Sequence, residues 1–388
     1  MIAAFAIMIG LHELGHYLTA RWAGMKVTEF FLGFGPRIFS FKRGETEYGL
    51  KAIPAGAYVK IIGMSNLDNV EPHDEARTYR QKSYPRRLSV AVAGSTMHFL
   101  IALTLIFTIL VGFGRSGGSL FGARDESTWV IGEVSPNAGA AEAGLLAGDK
   151  IVSVAGEHIA VIKDLVNVVG PRLGETVDVL VERSGQPVNA QVSIKLKPGT
   201  SDRGYLGITP ELPTKRLSPW AAIPASGQEF ASLVSQSLGS MQKLFTPSGV
   251  SGFVRQVARG SSQEMATGSG DTSQPAQAPQ DNSGRLVSIY GATRLGAVLL
   301  DDGVGPFLAF LAMLNVFIGM FNLAPLLPLD GGHVVIATYE RLREGRSGKR
   351  YFADLTKLLP LTYAVVLVLV GIFISSLYLD IVSPIPLR

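Results

Sequence analysis

An apolar run from Ile2 to Trp22 is interrupted by His12-Glu13-Leu14-Gly15-His16. About 20 helical residues cross the ~30 Å hydrocarbon core of a bilayer. Only helices and closed barrels do so, because no water is present there to satisfy the backbone. The run is therefore read as a helix, on which positions 12 and 16 share a face one turn apart, with Glu13 beside them. Two imidazoles and a carboxylate at this spacing make half of a metal site with a candidate general base. Ionisable groups at membrane depth are costly and face a cavity or a partner, so another element must close on this face.

Three further runs are long enough to span: Leu88–Gly114, Gly305–Leu329 (interrupted by prolines) and Leu358–Leu379. Hydrophobic residues are 47%, charged residues 17% and mean hydropathy is +0.28, which fits four spans plus a sizeable water-exposed part. The absence of cysteine excludes disulfides and thiolate ligands. The net charge of +4 is not gathered into a patch suited to nucleic acid, and it reads better as topology. Lys and Arg number 11 in residues 23–87 and 6 in residues 327–357, but only 16 in residues 115–304. Dense loops stay in the cytoplasm, so both termini and the long segment between spans two and three are expected outside. The first run carries no small-residue cleavage site and is not read as a removable signal peptide. Its 11 residues before His12 make about 16 Å of helix, just enough to reach the outer surface, which leaves room for a native start upstream of Met1.

Depth locates a third ligand. The first run travels inward and meets its first cation at Arg21, which puts His16 and His12 roughly 7–14 Å inside the inner boundary. The third run travels the same way and contains Asn322-Leu323-Ala324-Pro325-Leu326-Leu327-Pro328-Leu329-Asp330-Gly331-Gly332-His333. Pro325 and Pro328 break the helix, and Gly331-Gly332 are expected to make a sharp turn. Charges return only at Glu340, so Asp330 lies at a depth compatible with the histidines. Irregular backbone at that depth belongs to a cavity lining. Two imidazoles, one carboxylate and an open water position make a catalytic zinc site, with Glu13 as the base that takes the proton of the attacking water. His98, ten residues into the second run and also near the depth of His12, has three readings: a donor to the substrate carbonyl or to a ligand, a satisfied interior histidine, or a direct ligand. Asn322 has two, an oxyanion or substrate-backbone donor and a helix cap. His333 reads as structural or as support for Asp330, and His73 and His158 as surface residues.

HELGH in a first span with LDGGH in a late one resembles the site-2 protease family of intramembrane zinc metalloproteases (peptidase family M50). Phe31-Leu32-Gly33-Phe34-Gly35-Pro36 followed by Tyr48–Met64 resembles that family's membrane-associated β-hairpin, and Lys82–Phe99 its entry to span two. The arrangement resembles the bacterial four-span, single-PDZ type, actinobacterial members in particular. Two departures stand out: Gly56-Ala57-Tyr58-Val59 where the family often has Gly-Gly-Tyr-Val, and Gly94-Ser95-Thr96-Met97-His98 where it often has Gly-Pro and a nearby Asn. The resemblance implies an α-helical polytopic protein in a bacterial plasma membrane. It further implies one catalytic zinc and single-pass membrane proteins as substrates, such as anti-sigma factors or remnant signal peptides (regulated intramembrane proteolysis). A membrane helix must be unwound before it can be cut, and the edge of the Tyr48–Met64 hairpin offers strand addition for the exposed backbone. Gly33, Gly35, Gly56 and Tyr58 are therefore substrate-side candidates.

The expected plan is span one with HELGH at 1–22, the hairpin region at 23–87, and span two at 88–114. An α/β PDZ domain at 128–210 is followed by an amphipathic helix and disordered linker at 211–304, span three at 305–340 and span four at 358–379. The PDZ reading rests on strands at Val130–Val134, Lys150–Val154, Thr176–Glu182 and Val188–Ile194 with a helix at Lys163–Val169. Tyr205-Leu206-Gly207-Ile208 stands where such domains hold a peptide carboxylate. Phe230–Phe245 shows one apolar helical face, and Ser261–Gly284 has a low-complexity composition typical of disorder. The competing reading is a catalytically silent PDZ scaffold or a zinc-binding transporter. An intact Glu13 and the scarcity of polar residues in spans two and four argue against it.

Overall fold

The computed structural model describes residues 1–64, 68–122, 125–197, 202–244, 246–249, 251–252, 254–255, 287–347 and 350–382. They divide into two compact units, Met1–Ile106 with Phe230–Arg388, and Phe107–Glu229. Among the described residues, four helices are long and apolar enough to cross a membrane: Ile2–Trp22, Ala93–Gly112, Val304–Asn322 and Leu355–Val382.

In the first unit, helix α1 (Ile2–Trp22) leads into a long hairpin of β1 (Val27–Arg43) and β2 (Thr46–Ile61). The hairpin is larger than the stretch Tyr48–Met64 expected from sequence, which is nearly all one strand. It folds back on itself, so that Phe30 has Val59 on one side and Tyr48 on the other. Glycine makes the fold-back possible. Gly33 and Gly35 have φ of +87° and +82°, and a methyl on Gly33 would lie 2.7 Å from the Ile53 carbonyl oxygen. The sheet packs on α1 through Tyr17, Ala20, Met25, Val27, Ile61, Tyr79 and Val90.

The second apolar run is two helices, not one. α2 (Tyr84–Ala91) ends at Val92, and α3 (Ala93–Gly112) is the spanning part. Near its start α3 crosses α1 closely, since a methyl on Gly15 would stand 2.8 Å from the Ala93 carbonyl oxygen. Later in the chain come α4 (Pro219–Leu244), which straddles the two units and extends the expected amphipathic helix toward its N-terminus, and α5 (Ile289–Asp301). The region 211–304 was expected to hold one helix and a linker, and α5 corrects this. Its Ser288 cap accepts from the Gly291 amide, and Asp380 accepts from the Ser288 amide at 2.7 Å, a carboxylate at a helix N-terminus. Ser261–Gly284 lies outside the described residues.

The third run is also divided. α6 (Val304–Asn322) stops, residues 323–329 are irregular around Pro325 and Pro328, and α7 (Asp330–Ser347) begins at the aspartate. Gly331-Gly332 make no turn. They lie in the first turn of α7, where a methyl on Gly332 would meet the Leu327 amide nitrogen at 2.8 Å. Their smallness lets the irregular segment fold tightly over the new helix. The last span is α8 (Leu359–Val382).

The second unit holds β3 (Val130–Val134), β4 (Lys150–Val154), a helix at Ile162–Val169, β5 (Thr176–Arg183), β6 (Gln186–Ser193) and β7 (Ile208–Glu211). β4, β5 and β6 are neighbours in one sheet, and β7 pairs antiparallel with β3. Ser184 and Gly185, both with positive φ, turn β5 into β6. Alternating strand residues bury Ile131, Ile151, Val179, Val181 and Val192 in one core, joined by Trp129 just before β3. Asp149, 1% exposed, is held by Arg183 at 2.7 and 2.8 Å and accepts from the Leu146 amide. The guanidinium holds its carboxyl below the usual carboxylate range.

Candidate active site

His12 and His16 lie on the buried stripe of α1, and the first residue of α7 brings Asp330 to them. His12 Nε2 and His16 Nε2 are 3.2 Å apart, and Asp330 Oδ2 is 3.3 Å from His16 Nε2 and 3.6 Å from His12 Nε2. Four ligands at about 2.0–2.1 Å from a tetrahedral ion stand about 3.3 Å from one another, so the triangle has the size such an ion demands. Its electrostatics agree. His16 Nδ1 lies 2.8 Å from the Val90 carbonyl oxygen, which can only accept. The hydrogen is therefore on Nδ1, and Nε2 presents a lone pair. Asp330 Oδ2 is buried without a hydrogen-bond partner, as is His12 Nδ1. A buried carboxylate oxygen facing the lone pair of His16 Nε2 is unfavourable unless a cation sits between them. The donor set thus fits a divalent metal, and among the described residues it is the one such cluster of three.

Glu13 neighbours this triangle, and its carboxyl faces the backbone amide of Val59 on β2. The Ala57–Ile61 stretch of β2 carrying that amide has β1 on one side. α3 closes the site from another direction. A methyl on Gly94 would strike the His12 ring and come within 2.5 Å of His16 Nε2. Span two therefore does contribute to the site, through a glycine whose smallness admits both rings.

His98, 2% exposed, has its ring centroid 5.1 Å from that of His12. Its Nδ1 is 2.8 Å from Asn315 Oδ1, and the Asn315 amide nitrogen donates to the Leu311 carbonyl. With that amide committed, Asn315 offers oxygen, so His98 carries its hydrogen on Nδ1 and faces away from Asn315 with an acceptor. His98 stands outside the three-residue cluster. Asn315, fully buried on α6, escapes a reading focused on Asn322, although an amide inside an apolar run is itself a signal. Asn322 is half-buried at the end of α6, seven residues and two turns further on.

The hairpin candidates do not join the triangle. Tyr58 gives its hydroxyl to Glu29 at 2.6 Å and stacks near Phe31 and Phe34. Gly33, Gly35 and Gly56 shape the sheet. His333 packs edge-on against Tyr79. In the second unit, Tyr205, Leu206 and Ile208 border a groove of about 610 Å³ whose other wall is the Ile162–Val169 helix, while Gly207, with φ of +90°, is turned against Ala138.

Residues 1–369 match Peptidase family M50. The chain belongs to peptidase family M50. This M50 member is 31% identical over 414 residues to the zinc metalloprotease Rip1 of Mycobacterium tuberculosis, covering 99% of this chain and 96% of the relative. It is 32% identical to Rip1 of Mycolicibacterium smegmatis, over 98% and 96% of the two chains. A putative zinc metalloprotease of Agrobacterium fabrum is 28% identical, over 88% and 85%. With its four apolar helices, the M50 member is a multi-pass membrane protein.

Proposed function

We propose that this zinc metalloprotease cuts an unwound transmembrane segment of single-pass membrane proteins, with His12, His16 and Asp330 as zinc ligands and Glu13 as general base. The protease class rests on the family and on relatives named zinc metalloproteases. The observation that carries the residue assignment is the triangle of 3.2, 3.3 and 3.6 Å with its unpartnered aspartate oxygen. When bound, zinc supplies Lewis acidity that polarises a scissile carbonyl and makes water a competent nucleophile near neutral pH. Glu13 takes the proton of that water and passes it to the leaving amine.

Position supports the substrate class. The site lies within apolar helices, and the Ala57–Ile61 strand runs past Glu13 through Val59. A substrate segment that joins this strand replaces its lost helical hydrogen bonds with sheet bonds as it reaches the base. The second unit reads as a PDZ domain, with the groove between β7 and the Ile162–Val169 helix as its peptide site. It serves either to bind a tail or to exclude substrates with bulky outer domains. Lys and Arg density supports a position outside the membrane for this unit and for both termini, and the resemblance implies a bacterial plasma membrane. Anti-sigma factors and remnant signal peptides are the substrate types that the resemblance implies.

The test is cleavage of candidate single-span proteins by purified enzyme, wild type against Glu13→Gln, with zinc measured in both. The expected result is loss of turnover with zinc and fold retained. A scaffold or transporter would keep its activity in Glu13→Gln, and that outcome would overturn the proposal.

A further inference from the structure

The two halves of the triangle are 314 residues apart, and α2 is bonded to both. Toward α1, the Val90 carbonyl of α2 accepts from His16 Nδ1. Toward α7, Arg87 of α2 forms a buried ion pair with Glu340, which is 1% exposed. Tyr84 meets Thr338 at 3.2 Å. The segment before α2 joins in. The Tyr79 ring packs on His333 and lies 5.1 Å from the Arg87 guanidinium carbon, and its hydroxyl donates to the Arg87 carbonyl. Arg350 donates to the Gln81 carbonyl at 2.6 Å. Glu340 is fully engaged, since its second oxygen accepts from the Ala353 amide at 2.6 Å.

We infer that Arg87 and Glu340 are positioning residues, and that their ion pair sets the placement of Asp330 against His12 and His16. Ten residues separate Asp330 from Glu340 on α7, about 15 Å of rigid helix, so a grip at Glu340 fixes the axial position and roll of the end that carries the aspartate. The grip and the Val90 carbonyl are three residues apart on α2, hence on one short rigid piece. α2 acts as a bracket that sets both ligand-bearing helices to one standard. Outer partners that orient ligands typically change metal affinity or activity roughly 10–100-fold, and a 1 Å misplacement is enough to do so.

The inference rests on the proposed ligand set, and its test separates the two. Removing one charge alone orphans the other, so the informative variant is Arg87→Met with Glu340→Gln, which leaves no buried charge and keeps an acceptor for the Ala353 amide. Full-length protein is titrated with zinc against a competing chelator, and kcat and KM are measured at saturating zinc. The double variant is expected to fold, bind zinc roughly 10–100-fold more weakly and lose kcat with KM little changed, while Arg87→Lys retains most of the affinity. Ile106→Ala on α3 serves as a control of comparable thermal stability and keeps its zinc affinity. Wild-type zinc affinity in the double variant, or a loss no larger than that of Ile106→Ala, overturns the positioning role. An Asp330→Asn variant that keeps its zinc overturns the ligand set beneath it, and this inference with it.

Discussion

His98 and Asn315, 217 residues apart, share a buried hydrogen bond of 2.8 Å beside the His12 ring. Because the Asn315 amide is spent on Leu311, this bond assigns the His98 hydrogen to Nδ1. A neutral His98 cannot donate toward the triangle, so its service there is as an acceptor, or as a donor only once protonated. His98→Phe is expected to lower kcat by roughly 10²-fold with zinc content unchanged. Asn315→Leu, which leaves a buried ring N–H unsatisfied, should cost about 1–3 kcal/mol of stability. Assays of turnover, bound zinc and thermal unfolding decide this, and a His98→Phe enzyme with normal kcat removes His98 from the chemistry.

His12→Ala, His16→Ala and Asp330→Asn should each bring bound zinc from about one equivalent toward zero, since three protein ligands plus water is the working set. Zinc stabilises only the state that binds it, so the wild-type unfolding temperature should rise with added zinc while those of the three variants stay flat. Metal analysis after dialysis, with melting curves, provides the check. Retention of a full equivalent by all three would place the ion elsewhere.

Gly94→Ala and Gly112→Ala form a matched pair on α3. A methyl at 94 collides with the His12 and His16 rings, whereas one at 112 has nothing within 4 Å. The first should abolish zinc binding and turnover. The second should leave both intact and add up to about 1 kcal/mol through helix propensity. Equal activity in the two variants would contradict the packing of α1 on α3.

Acid should loosen the second unit through Asp149. Its folded pKa is depressed by the Arg183 guanidinium, so the unfolded state takes up protons first as pH falls. The contribution is fully present above the unfolded value of about 3.9 and fades below it. Trp129, 1% exposed in that core, provides the signal. In a Trp22→Phe, Trp220→Phe background, its emission should report weaker denaturant resistance at pH 3 than at pH 6. Asp149→Asn with Arg183→Met should flatten that slope, and an unchanged slope would assign the acid sensitivity to other carboxylates.

The convergence of His12, His16 and Asp330 was readable because they are costly residues in apolar runs, and hydropathy fixes depth. The strands of the second unit were equally plain, since alternation and the Ser184-Gly185 turn are local signals. What escaped is non-local or belongs to the backbone. The Val90 carbonyl has no side-chain signature, and any residue there offers it. Gly94 merely opens a stretch, Gly94-Ser95-Thr96-Met97-His98, that departs from a motif, and its part is not visible until two rings are found against it. The fold-back of the hairpin depends on which strand halves meet, which the pattern Tyr48–Met64 cannot say. α5 follows the low-complexity composition of Ser261–Gly284 and was absorbed into the linker read there. Arg87 and Glu340 look like ordinary boundary charges until their pairing is seen.

A β-strand beside Glu13, proposed as the general base, has a consequence for what the protease would select if its substrate pairs there. Val59 and its neighbours offer amides and carbonyls, groups common to every polypeptide, so pairing there discriminates little between one guest sequence and another. Discrimination then passes to the guest: a segment weakened by glycine, proline or asparagine gives up its coil readily, while a run of leucines resists. Susceptibility would follow how easily a segment unravels more than any consensus around the cut.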